Sequence, residues 1–374
     1  MFSSRLHWQL PPNPLSILIE EKRRNDAAVL DLTGSNPTRA GFVYPPEILD
    51  ALTDNGGLRY DPSPRGILRA REAVAEYYLE RGREVRPDQI LLTASTSEAY
   101  SYLFKLLADP GDEILTPRPS YPLFEFLAAL ESVQVRQYPL RYDGAWHVDF
   151  AALERAITPR TRAIVVVNPN NPTGSFLKSE EWRRLESLRL PILCDEVFSD
   201  YAFGGSPAAP AGDALIVSMS GLSKIAGLPQ MKLGWIAVSG PGHQAALERL
   251  ELIADTYLSV ATPVQLALPR LLPLSAAVRE QIRQRTRANL EHLYKAARES
   301  AMQVLHVEGG WYATVQIPRT RSEEEWSLML LRERDVLVQP GYFFDFEGEA
   351  FLVLSLVTPG RVFEEGVRRI VSSL

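Results

Sequence analysis

A chain of 374 residues exceeds the usual span of one domain, and at 45% apolar and 23% charged it can bury an ample core. Forty Lys and Arg against 46 Asp and Glu give a net charge of −6, which leaves no broad basic footprint for nucleic acid or anionic lipid. The single cysteine, Cys194, excludes an internal disulfide, points to a reducing compartment, and reads as a small core residue closing the apolar run PILC.

The opening stretch MFSSRLHWQLPPNP lacks an apolar leader core, and no run of 18 apolar residues occurs anywhere. The expectation is a cytoplasmic protein without a membrane span. The Pro-rich PPNPLSILIEEKRR is too short to fold alone and is expected to pack on another part of the chain or on a partner subunit. From residue 89 onward, short β-branched runs alternate with helical stretches. The runs are QILLT (89–93), EILTP (113–117), VQVRQYPL (133–140), AIVVVN (163–168), PILCD (191–195), LIVSMS (215–220) and LGWIAV (233–238). Helical segments such as TSEAYSYLFKLLA and SEEWRRLESL lie between them. This alternation predicts an α/β fold, with a mostly parallel sheet covered by helices on both faces. Ligands in such sheets bind beyond the carboxyl ends of the strands.

After about residue 265 the pattern changes. AAVREQIRQRTRANLEHLYKAARESA has helical apolar spacing and a charged outer face. QVLHV, WYATVQIP, VLVQP and FLVLSLV read as strands, interleaved with the helical EEEWSLMLLRER. The predicted division is a large domain over 46–270 and a smaller α+β domain from 1–45 together with 271–374.

Three strand ends carry complementary chemistry. Asn171 stands in NPNNPTG, Asp195 in CDEVFSDYAF and Lys224 in SGLSKIAGLPQMKLGW. An amide, an acid and an amine so placed are what a pyridoxal 5′-phosphate ring requires. The amine forms a Schiff base, the acid keeps the ring nitrogen protonated, and the amide donates to the phenolic oxygen. No metal, thiol or Ser-His-Asp arrangement accounts for all three, and no metal is expected.

In chain order, LTGSNPT, RYDPSPRGILRARE, TASTSEA, DPGDEILTPRPSYPLF, NPNNPTG, DEVFSDYAF, SGLSKIAGLPQMKLGW, GGWYATVQIP and VQPGYFF resemble the class I/II aminotransferases, which are fold-type I pyridoxal-phosphate enzymes. The resemblance runs from about residue 30 to the C-terminus. It implies a three-layer αβα large domain with a mostly parallel seven-stranded sheet, a smaller α+β domain, and a homodimer with a shared active site. Lys224 is then the catalytic residue, anchoring the cofactor and carrying a proton between substrate and cofactor carbons. Ser95, Thr96 and Ser97, at a helix start, would hold the phosphate with Ser220, Ser223 and Lys232. Tyr121 would stack on the ring, and Tyr60 would reach the phosphate of the neighbouring subunit. The implied reaction moves an amino group between an amine or amino acid and a keto acid.

Three positions depart from the family pattern. Phe198 stands where a tyrosine usually donates to the phenolic oxygen. Lys232 replaces an arginine, keeping the charge but losing the bidentate fork. Val353 stands where an arginine usually clamps the substrate α-carboxylate, and a valine cannot pair with an anion. Ser35, Arg39 and Arg65 are the candidate substrate contacts, the two arginines as replacements for that clamp. The departures leave two substrate classes open, an amine without an α-carboxylate or an amino acid held by a displaced arginine. Elimination, decarboxylation or racemisation on the same ring also stay open, as does a non-catalytic cofactor-binding regulator.

Overall fold

The computed structural model describes residues 2–6, 8, 12–205, 207–348 and 350–374. Met1, His7, Gln9, Leu10, Pro11, Ser206 and Glu349, which fall within the domain spans and the opening segment read above, lie outside the described residues.

All seven strand runs read from the middle of the chain enter one sheet. Its order is Ile90–Thr93, Gly234–Ser239, Ile216–Gly221, Ile192–Asp195, Thr161–Val167, Glu113–Arg118, Gln134–Tyr142 and Trp146–Val148. The expected seven strands are thus eight, because the three-residue Trp146–Val148 hairpins back onto Gln134–Tyr142. Three residues carry too little alternation to be seen in a sequence pattern. The five central strands from Ile216–Gly221 to Gln134–Tyr142 pair in parallel, and Gly234–Ser239 is antiparallel to both of its neighbours.

Successive residues of these strands feed two separate cores, which is why the runs are apolar throughout rather than alternating. Val165, Leu193, Val217 and Ile236 face the helices Thr96–Leu107 and His243–Asp255. Ile164, Ile192, Cys194 and Ile216 face Phe150–Ala156 and Ser179–Ser187. Cys194 is free and buried in that second core, as a small apolar residue would be.

The C-terminal part builds a four-stranded antiparallel sheet in the order Gln303–Val304, Tyr312–Gln316, Phe351–Ser355, Gln339–Pro340. One face, through Ala313, Val315, Leu352 and Leu354, packs on Ala276–Arg298, Glu323–Arg334 and Gly360–Val371. The N-terminal helix Pro14–Arg24 lies on the same part. Leu15 and Leu18 pack against Leu331 and Leu337, Lys22 pairs with Asp335 at 2.5 Å, and Leu30–Asp31 pairs in parallel with Val336–Leu337. The other sheet face, through Tyr312 and Val353, meets Val197, Phe198 and Tyr201 of the large sheet's loops. No helix among the described residues is long and apolar enough to cross a membrane.

Candidate active site

The site forms where parallel strands end together. Register pairs Val167 with Asp195 and Asp195 with Met219, so the loops bearing Asn171, Asp195 and Lys224 leave neighbouring strands at one level. Backbone bonds from Asn168 N to Asp195 O and from Glu196 N to Met219 O, both 2.8 Å, hold those ends together. The NPTG turn needs its glycine. Gly174 has φ 71°, and a Cβ there would lie 2.5 Å from the Gly309 carbonyl, which brings the GGW segment against the Asn171 loop.

Asp195 accepts from Val197 N and from the Tyr100 hydroxyl, each at 3.1 Å. Burial pushes its carboxyl up to about 6, against the opposing pull of those two hydrogen bonds and of Lys224. Burial likewise pulls the Lys224 amine below its ordinary range, with Asp195 acting in the other direction. A lysine shifted in this sense releases a neutral amine more readily near neutral pH, as a nucleophile or proton carrier requires. The Tyr201 hydroxyl donates to the Lys224 carbonyl at 2.7 Å and fixes the short helix Leu222–Ile225. The Lys224 Nζ lies 5.2 Å from the Trp311 ring centre and 5.9 Å from that of Phe198.

Two further groups have unmet hydrogen-bonding capacity. Asn171 Oδ1 and Ser220 Oγ are buried with no partner. Leaving a buried polar group unpaired costs about 1–3 kcal/mol, so their presence on the strand ends that carry the part-buried Lys224 and Asp195 fits a polar ligand. The residues fit pyridoxal phosphate, for which the Asn171 amide nitrogen would donate to the ring oxygen, Asp195 would pair with the ring nitrogen and the Ser220 hydroxyl would donate to the phosphate.

The other expected residues are placed unevenly. Ser95 caps the helix Thr96–Leu107 by accepting from Glu98 N, so its hydroxyl is already engaged. The N–H groups of Thr96 and Ser97 fall in the first turn, where no intrahelical acceptor exists. Tyr121 is half-exposed, and its phenol is pushed up by burial and by the Asp195 charge. Ser223 is part-buried beside Lys224, while Lys232 is exposed and left-handed at φ 50°. Phe198 is buried against Trp311, 5.3 Å between ring centres. Tyr60 is 80% exposed in this chain. Arg39 is exposed in the segment that carries Ser35. Arg65 is engaged by an acid. Its Nε pairs with Glu251 at 2.7 Å, it also donates to the Asp88 carbonyl, and it borders a groove with Arg71 and Arg86 rather than Lys224. That ion pair joins residues 186 apart in the chain, which no local pattern shows.

Val353 is fully buried between Thr314 and Gln339, its register partners on the two adjacent strands. Tyr100, Trp311, Tyr312, Thr314 and Gln339 were not singled out in the sequence. Tyr100 carried a usable signal, four residues after Thr96 on the same helix. The others needed strand register.

This architecture is the fold of the solved aminotransferase structures on which the chain superposes. A family model described as "Aminotransferase class I and II" matches residues 28–370, and the chain belongs to that family. It is 33% identical over 270 residues to the glutamate-pyruvate aminotransferase AlaA of Escherichia coli K12, covering 68% of this chain and 67% of that protein. It is 32% identical to nicotianamine aminotransferase 1 of Oryza sativa over 67% of this chain and 54% of that protein. The chain thus spans about half the length of some of the curated relatives it matches. Among solved structures, alanine aminotransferase from Pyrococcus furiosus superposes with a TM-score of 0.90 at 24% identity, covering 100% of this chain and 99% of that one. A mutant aspartate aminotransferase of Thermus thermophilus gives 0.86 at 25% identity, with 100% of both chains covered.

Proposed function

We propose that the chain is a pyridoxal-phosphate-dependent aminotransferase that moves an amino group between an amino donor and a keto acid. The observation that carries this reading is the part-buried Lys224–Asp195 pair, with Asn171 Oδ1 and Ser220 Oγ unpaired on the adjoining strand ends. When bound, the cofactor supplies a ring that accepts electrons from the substrate carbon. The chain's own residues do the rest. Lys224 would hold the cofactor through its amine and would carry the proton between carbons. Asp195, oriented by Tyr100 and Val197 N, keeps a positive charge at the ring nitrogen. Asn171 orients the ring, Tyr121 covers one face, and Thr96, Ser97, Ser220, Ser223 and Lys232 hold the phosphate. Phe198 and Trp311 exclude water from the Lys224 amine.

The enzyme works as a homodimer in the cytoplasm, its site completed by Tyr60 of a second copy, a role to which the exposure of Tyr60 is suited. The large catalytic domain spans 46–270, and the smaller one takes 1–45 and 271–374.

Borohydride reduction of the protein loaded with pyridoxal phosphate will fix a pyridoxyl group on the Lys224 peptide, detected by mass spectrometry, and Lys224→Ala will lose it. Labelling of a different lysine would refute the assignment. Release of the α-amino group as ammonia, with no amine recovered on a keto acid, would instead indicate elimination, and release of carbon dioxide with the amine retained would indicate decarboxylation.

Phe198 adds no hydrogen bond to the ring's phenolic oxygen, so the Lys224-linked visible band is expected to titrate at high pH. Phe198→Tyr restores a donor and will lower that midpoint by roughly one pH unit. An unmoved midpoint would show that position 198 does not face the ring.

A further inference from the structure

The wall facing the Lys224 amine is uncharged. Trp311, 5.2 Å from Nζ, packs on Phe198 and Tyr201. Behind it Val353 sits fully buried on the sheet face that meets this cluster. The antiparallel register lines up Thr314, Val353 and Gln339 across three adjacent strands. Cross-strand neighbours lie roughly 5 Å apart, so this row is continuous. Its polar atoms are neutral, and Thr314 Oγ1, Gln339 Oε1 and the nearby Trp311 Nε1 are all buried without a partner.

The guanidinium groups tied to the 195–201 turn have acid partners, Arg81 and Arg279 on Asp200 and Arg83 on Glu196, while Arg283 donates to the Asp200 carbonyl at 2.8 Å and lies 3.9 Å from Glu280. Arg285 has no carboxylate partner among the described residues, but it stacks on Phe42 and donates to the carbonyls of Ala40 and Thr358. The acid acting on the Lys224 amine is Asp195, and the rings facing that amine, Trp311 and Phe198, are uncharged. A substrate carboxylate placed here would lose its water and gain no opposite charge, whereas a hydroxyl or amide would meet neutral partners.

We infer that the amino donor of this enzyme carries an uncharged group, not a carboxylate, on its amine-bearing carbon, and that Val353 sets this preference. The inference rests on the aminotransferase reading. In the first half-reaction the donor gives up its amino group and the hydrogen on that carbon and takes the oxygen of the cofactor aldehyde. A primary amine R–CH(NH2)–R′ leaves as the ketone R–CO–R′, and the aldehyde becomes an aminomethyl group. Both half-reactions use one pocket, so a keto acid acceptor holds its carboxylate away from the reacting carbon.

The test uses the full chain loaded with pyridoxal phosphate and follows loss of its visible band in single-turnover mixing with L-alanine, L-alaninol and L-alaninamide. These three differ only in the group beside the amine-bearing carbon. The two neutral compounds are expected to react at least tenfold faster per unit concentration than alanine. Val353→Arg should reverse the order. If that variant does not fold, the wild-type ratio decides alone. Alanine reacting as fast as the neutral pair overturns the inference, and its loss in Arg39→Ala or Arg285→Ala would name a displaced clamp. No response to any of the three, with Lys224 labelled by borohydride, overturns the inference and leaves the cofactor reading intact. Absence of that label overturns both.

Discussion

Asp195→Asn will lower turnover roughly a thousandfold at pH 8 and, at the same pH, will make the cofactor-free protein more stable. The two effects have one cause. In the cofactor-free protein burial lifts the Asp195 carboxyl from 3.8 to about 6. A raised folded-state pKa means the protonated acid suits the fold. That contribution is fully present below about 3.8 and is lost as pH rises through about 6. At pH 8 the ionised carboxylate therefore weakens the fold by about 1–3 kcal/mol, and asparagine removes the charge while still accepting from Val197 N or Tyr100. The stability advantage of the variant will shrink between pH 8 and pH 5, read by thermal melts. On the proposed reading Asp195 would gain a positive partner from the ring nitrogen, so loading with pyridoxal phosphate will raise the melting temperature of the wild type more than that of the variant. A variant retaining more than a tenth of wild-type turnover would remove Asp195 from its assigned role.

Arg81→Ala will destabilise the protein by about 3 kcal/mol. Asp200 is buried, with a side chain 4% exposed, and takes two bonds from Arg81, at 2.7 and 2.8 Å. Tyr77 donates to it at 3.3 Å, and Arg279 lies 3.6 Å away. Removing Arg81 leaves a buried carboxylate with only these weaker partners and strips a cation from the face of Tyr77, 3.6 Å from the ring centre. Asp200 closes the turn that begins at Asp195, and its neighbour Tyr201 donates to the Lys224 carbonyl. Cofactor affinity should therefore fall along with stability. Adding Asp200→Asn should recover more than about 1 kcal/mol, because the unpaired charge is then gone. Simple additivity of the two substitutions in denaturant unfolding would show that the pair is not coupled.

Much of this was legible along the chain. The seven β-branched runs from QILLT to LGWIAV all became strands of one sheet, since each is short, apolar and bounded by turn residues. Asn171, Asp195 and Lys224 were readable because each follows or ends a parallel strand, where such sheets expose their loops. The acid that pairs with Arg65 was not legible, because the place of Arg65 at the start of RGILRARE is local information and Glu251 is far along the chain. Tyr100, though four residues after Thr96 on one helix, has its partner hidden in the same way. Its hydroxyl meets Asp195 only after a helix from residue 96 is laid over a strand ending at 195.

By itself the sequence determined the α/β class, the likeness to an aminotransferase, the amine, acid and amide of the site, and the valine where a clamp is usual. These are properties of residue type and of spacing within one strand or turn, which short-range stereochemistry controls. Tertiary structure alone decided what surrounds them. Sheet register set Thr314 and Gln339 beside Val353, and the meeting of two sheets brought Trp311 to Lys224. Burial then moved the proton affinities of Lys224 and Asp195, because desolvation depends on every atom that excludes water, from whatever part of the chain it comes.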